Sequence, residues 1–117
     1  MTEKQLKYLF DIQLAIKEIN DFRNQSGDGF QVFSSDIMYR KAVERNLEII
    51  GEAVNRLLKS GFLKPISHSR SIVALRNKIS HEYDSVSNEN LWGIIVRHLP
   101  LLEVEIGQLI SENEIGF

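Results

Sequence analysis

Val43-Glu44-Arg45-Asn46-Leu47-Glu48-Ile49-Ile50-Gly51-Glu52-Ala53-Val54-Asn55-Arg56-Leu57 decides the fold class. Val43, Leu47, Ile50, Val54 and Leu57 recur at alternating spacings of four and three, which lines them along one face of a helix and never along one face of a strand. Ser34 or Ser35 can cap the start of this helix. Gly61 fits just past its end, and Pro65 prevents its continuation.

The same periodicity extends outward in both directions. Upstream, Thr2 and Gln5 fit a capping box, and Leu9, Ile12, Ile16, Ile19 and Phe22 form one apolar stripe. Asn24-Gln25-Ser26-Gly27-Asp28-Gly29 reads as a loop on its glycines. Only Phe30-Gln31-Val32-Phe33 alternates like a strand, and it is too short to found a sheet. Downstream, a shorter helix is predicted from about Ser67 towards Ser80, with Ile72, Leu75 and Ile79 as its buried face. The polar stretch Asp84 to Asn88 leads to a last helix carrying Trp92, Ile95, Val96, Leu99, Leu102, Ile106 and Leu109. Pro100 lies inside it and should kink or split it, because the ring removes one backbone donor and crowds the preceding turn. The expected architecture is all-α, an antiparallel bundle of four main helices forming one domain over 1–117.

Composition narrows the function. With 117 residues, 43% of them hydrophobic and 26% charged, the chain can bury a real core but not two. It has no cysteine, which removes disulfides and thiolate metal sites. No apolar run approaches the ~20 residues of a membrane span, and the first residues lack the apolar stretch of a signal peptide; a cytoplasmic protein is predicted. The three histidines, His68, His81 and His98, stand 13 and 17 residues apart, and no Glu-x-x-His occurs, so no metal site is expected. No glycine-rich phosphate loop is present.

Charge is unevenly distributed. From Ala53 to His81 there is no acid, yet the run holds Arg56, Lys59, Lys64, Arg70, Arg76 and Lys78, a formal +6 inside a chain of net −2. Such segregation attracts an anion to one region, although a pI near 5.9 argues against constitutive nucleic-acid binding. The run ends in Arg76-Asn77-Lys78-Ile79-Ser80-His81-Glu82-Tyr83. Arginine clamps phosphate through its fork of donors, and histidine moves protons near neutral pH, so Arg76 and His81 point to phosphate chemistry, most naturally on RNA. Five residues place them roughly 140° apart on a continuous helix, so the helix must end close to Ser80 or the pair must converge in a cleft. One histidine is too few for a reaction wanting both a base and an acid, and a symmetric homodimer supplies a second. Taken singly, Arg76 reads equally as a surface ion-pair partner, Tyr83 as a half-buried tyrosine, and the basic run as a solvated face.

Arg76-x4-His81-x-Tyr83 resembles the signature of HepT-like proteins of the HEPN superfamily. Arg45 to Ala53 is similar to that family's second-helix block. Leu91-Trp92-Gly93-Ile94-Ile95 and His98-Leu99-Pro100-Leu101-Leu102 resemble its last helix, proline included. The resemblance implies a homodimeric, metal-independent endoribonuclease without cofactors, the toxin of a type VII toxin–antitoxin pair. Its partner would be an MNT-type nucleotidyltransferase antitoxin that transfers AMP from ATP to the motif tyrosine. Carried over, Arg76 and His81 are catalytic and Tyr83 is the modified residue; Lys78 and Arg70, from the basic run, are expected to contact RNA phosphates. The alternative is a HEPN accessory subunit that presents a surface to the nucleotidyltransferase and cuts no RNA.

Overall fold

The computed structural model describes residues 1–81 and 86–115, with side chains placed through Ser80 and from Val86 to Asn113. Among the described residues six α-helices follow in order: α1 (Glu3–Ser26), α2 (Phe30–Ser35), α3 (Ile37–Lys59), α4 (Ser69–His81), α5 (Asn88–Gly93) and α6 (Leu99–Ile115). A π-helical turn, Ile94–His98, joins α5 to α6, so that 88–115 is one long last helix. No strand occurs among the described residues, and none of their helices is long and apolar enough to cross a membrane. The fold is therefore the all-α bundle expected, with α1, α3, α4 and the last helix as its main members.

The capping box forms as predicted. Thr2 Oγ1 accepts from the Gln5 amide at 3.1 Å, and Gln5 Oε1 accepts from the Thr2 amide at 3.0 Å. Gln5 then donates through Nε2 to Ser60 Oγ at 3.0 Å, which ties the start of α1 to the end of α3 and sets the two antiparallel. Past that end, Gly61 takes φ 81° and Phe62 N–H returns to the Leu57 carbonyl at 3.3 Å, a left-handed stop that glycine adopts without penalty.

The weak strand signal is not followed, and one cap expectation is corrected. Phe30–Phe33 belongs to a helix, not a strand, because Phe33 is drawn wholly inside, against Tyr39 at 5.1 Å and Trp92 at 5.5 Å between ring centroids. Neither Ser34 nor Ser35 caps α3. Both hydroxyls donate back to the Gln31 carbonyl, while the Asp36 carboxylate accepts from the amides of Met38 and Tyr39 at 3.0 and 3.1 Å. An ionised acceptor at the positive end of a helix outcompetes a hydroxyl. The kink expected at Pro100 takes the form of the π turn. Leu99 N–H bonds to the Ile94 carbonyl, five residues back, and this wider winding eases the crowding that the proline ring imposes on its preceding turn.

The core is the stripe read from sequence: Val43, Ile50, Val54 and Leu57 of α3 meet Leu9, Ile12, Ile16 and Ile19 of α1, and Ile95 and Ile106 of the last helix close it. α3 packs between α1 and α4, and α6 packs on α1. Between α4 and the last helix lies a cavity of about 600 Å³.

One defect of the core is measurable. Tyr39 is fully buried, its hydroxyl has no hydrogen-bond partner among the described residues, and burial pushes its pKa up. An unmet buried hydroxyl costs roughly 1–3 kcal/mol, so Tyr39→Phe is expected to stabilise the fold by about 1 kcal/mol in urea titrations. Because the folded state resists ionisation, the wild type loses stability as pH rises above the unfolded tyrosine's ~10 towards the folded value. That alkaline loss should be smaller in the Phe variant.

Candidate active site

Arg76 is placed by an unusually close approach of α4 to α3. Gly51 of α3 faces it, and a Cβ built on Gly51 would stand 2.3 Å from Arg76 Cβ and 2.9 Å from Arg76 Cγ. Only the missing side chain lets the two helices meet here. The arginine then runs along α3 to Glu52, whose Oε2 forms an ion pair with Arg76 Nη2 at 2.9 Å. The other carboxylate oxygen, Oε1, accepts from Arg56 Nε at 2.8 Å. One carboxylate thus holds two guanidinium groups, one per oxygen. The bond from Arg56, and after it the charge of Arg76, keep the Glu52 carboxyl below its usual range. Arg56 is shifted up, first by Glu52 and then by Tyr8. Arg76 Nε is buried without an acceptor among the described residues, so the polar hold on the guanidinium is at its tip.

These groups border a cleft of about 400 Å³ between α1, α3 and α4, with Tyr8, Arg45, Glu48 and Ser80 also on its walls. Ser80 Oγ reaches Glu48 Oε2 at 3.5 Å. The cleft presents donors of the kind that neutralise a phosphate, held by carboxylates of the neighbouring helix.

The other sequence-derived residues separate. Helix α4 is described to His81, close to the expected end near Ser80, while the His81 side chain and the whole of Tyr83 lie outside the described residues. Lys78 lines the larger cavity towards the last helix, with His68, Arg97 and His98. Arg70 is exposed and lines neither cavity. The structure therefore does not gather Lys78 and Arg70 around Arg76. His68 and His98 do meet, ring edge to face at 5.7 Å between centroids, with His68 in a left-handed conformation at φ 60°. Among the described residues no three His, Asp or Glu side chains are arranged to hold a metal ion.

The acid-free run is not acid-free in space. Arg56 and Arg76 pair with Glu52, and Lys64 pairs with Glu112 at 2.6 Å. Glu52 and Arg56 escaped notice as site residues, although their signal is in the sequence: Glu48, Glu52 and Arg56 stand four apart, which places them on one helix face.

Comparison with known proteins supplies the family. Residues 12–109 match the family described as Ribonuclease HepT-like. A protein of Methanocaldococcus jannaschii named "Putative RNase" is 34% identical over 97% of this chain and 94% of its own length. Another of that name, from Caldanaerobacter subterraneus subsp. tengcongensis, is 34% identical over 75% of this chain and 80% of its own. The "Probable ribonuclease HepT" of Thermococcus cleftensis is 32% identical over 93% and 98%. No solved structure matches. An all-helical bundle with an anchored arginine on α4, matched by the family over most of its length, belongs to the HepT-like ribonucleases.

Proposed function

We propose that the chain is a metal-independent endoribonuclease toxin, active as a two-fold dimer and silenced when an MNT-type nucleotidyltransferase joins AMP to Tyr83. The observation that carries this reading is the Arg76 guanidinium, held at the wall of a cleft between α1, α3 and α4 and five residues before His81 on the same helix.

In this mechanism the substrate supplies the nucleophile. The ribose 2′-oxygen attacks the adjacent phosphorus as His81 of one subunit takes its proton. Arg76 donates to the oxygens on which charge develops, and the partner's His81 protonates the departing 5′-oxygen. The products are a 2′,3′-cyclic phosphate and a 5′-hydroxyl. In silencing, the Tyr83 hydroxyl attacks the α-phosphorus of ATP, pyrophosphate leaves, and the bound phosphodiester competes for the donors that RNA needs. The acids on the cleft walls, Asp11, Glu48 and Glu52, favour the second reading, a HEPN accessory subunit that docks the nucleotidyltransferase without cutting RNA.

Wild-type protein is expected to cleave single-stranded RNA in excess EDTA. With the nucleotidyltransferase and ATP it should gain mass in steps of one AMP on Tyr83 and lose cleavage in parallel. Tyr83→Phe should cut RNA and escape silencing. A Phe variant silenced as fully as wild type would show that complex formation, not modification, neutralises the toxin. A wild type that cuts nothing supports the accessory reading.

A further inference from the structure

We infer that Glu52 is the positioning residue of the site: it acts through Arg76, holding the guanidinium in the one orientation from which a phosphate can be met. The inference rests on the ribonuclease reading above and adds to it a residue on a different helix. A free arginine side chain carries about 2 kcal/mol of rotamer entropy. In this chain two contacts limit that freedom. Near the backbone, Arg76 Cβ and Cγ lie against Gly51, where no side chain intervenes. At the tip, Nη2 forms an ion pair with Glu52 Oε2 at 2.9 Å, and the side chain is only 22% exposed.

Glu52 is itself held. Its second oxygen accepts a hydrogen bond from Arg56 Nε at 2.8 Å, which keeps the carboxylate from swinging away from its ion pair with Arg76. Arg56 follows Glu52 by four residues on the same helix, so the brace is part of α3 and does not depend on a loop. The arithmetic of charge matters as much as the geometry. Two guanidinium groups on one carboxylate leave the triad at +1. A one-to-one pair would orient Arg76 but cancel its attraction for phosphate. The Arg56–Glu52–Arg76 arrangement orients it and stays cationic, which suits a donor that must already be aimed when charge develops in the transition state.

The test uses full-length protein made without the nucleotidyltransferase. kcat and KM on a single-stranded RNA oligonucleotide would be measured for wild type, Glu52→Gln, Arg76→Lys, the double variant, and His81→Ala. Glu52→Gln keeps the size and an acceptor but removes the charge, and is expected to lower kcat about tenfold or more while KM changes little. In the Arg76→Lys background the same change should alter kcat by less than about threefold, because a residue acting through the guanidinium has nothing left to act on. A second readout needs no RNA: in ¹⁵N-labelled protein, rotation about the Arg76 Nε–Cζ bond should be slow in the wild type and fast in Glu52→Gln. Unchanged kcat with a lower KM would make Glu52 a competitor of phosphate and overturn the proposal. Equal losses in both arginine backgrounds, or equally slow rotation in both proteins, would overturn it as well. If His81→Ala cuts RNA as wild type does, the ribonuclease reading has failed instead, and the rotation measurement still separates the two failures.

Discussion

RNA cleavage by His81→Ala is expected to fall by about 100- to 10,000-fold, the range for loss of a proton-transfer group. Arg76→Ala should lose about 100- to 1,000-fold, as for removal of one donor aimed at developing charge. The two differ in how they should affect the fold. Removing the Arg76 side chain breaks an ion pair whose glutamate is 42% exposed and keeps its second partner, Arg56, so stability should change by no more than about 1 kcal/mol. Cleavage would be read from the rate of oligonucleotide hydrolysis, and the fold from circular dichroism and thermal melting. A folded His81→Ala protein that cuts RNA and arrests growth as wild type does would transfer the chain to the accessory-subunit reading.

Gly51→Ala should be the most damaging small change outside those two residues. Alanine is worth up to about 1 kcal/mol more than glycine inside a helix, so propensity alone predicts a gain. Space predicts the opposite. The new Cβ would stand 2.3 Å from Arg76 Cβ and 3.2 Å from the Ile72 carbonyl oxygen, and neither is the free end of a side chain that can turn away. The α3–α4 contact must open, at a cost of about 1–3 kcal/mol as for other overpacked sites. Arg76 would move with it, and cleavage should fall with stability. Gly107→Ala is the control: it lies within α6 and its added Cβ meets nothing within 4 Å, so it should stabilise by about 0.5–1 kcal/mol. A Gly51→Ala protein as stable and active as wild type would mean that the α3–α4 spacing is not set by this glycine.

What could be read without coordinates was whatever depends on local spacing. The stripe from Val43 to Leu57, the Thr2–Gln5 box and the stop at Gly61 each need only a few consecutive residues, and each is found in place. Failures began where two elements compete. Ser34, Ser35 and Asp36 are all acceptable caps, and only the folding of α2 decided that the serines were already engaged. The charged run failed for a related reason. Sequence separation says nothing about which carboxylates fold against a cation, so Glu112 could neutralise Lys64 from 48 positions away.

The site was legible as residue types and much less as geometry. Arg76 could be named because arginine and histidine at that interval suit phosphate chemistry. Its anchor on Glu52 depends on the rotation of α4 about its own axis, which Gly51 fixes from another helix. The same rotation sends Lys78 to the cavity beside the last helix and leaves it unable to join Arg76. A basic residue two positions from an arginine on a helix points about 200° away from it, and composition cannot convey that.

The π turn at Ile94–His98 makes the last helix unequal in its tolerance of length change. A π turn is an α-helical turn with one residue to spare. Losing a residue inside this window would let the backbone relax to ordinary winding, with Leu91 upstream and Ile106 downstream still turned to the core. Losing a residue in the middle of α6 would instead rotate everything beyond it by about 100° and expose the apolar face. The chain thus carries, just before Pro100, a joint where a one-residue deletion can be absorbed without disturbing the packing at either end.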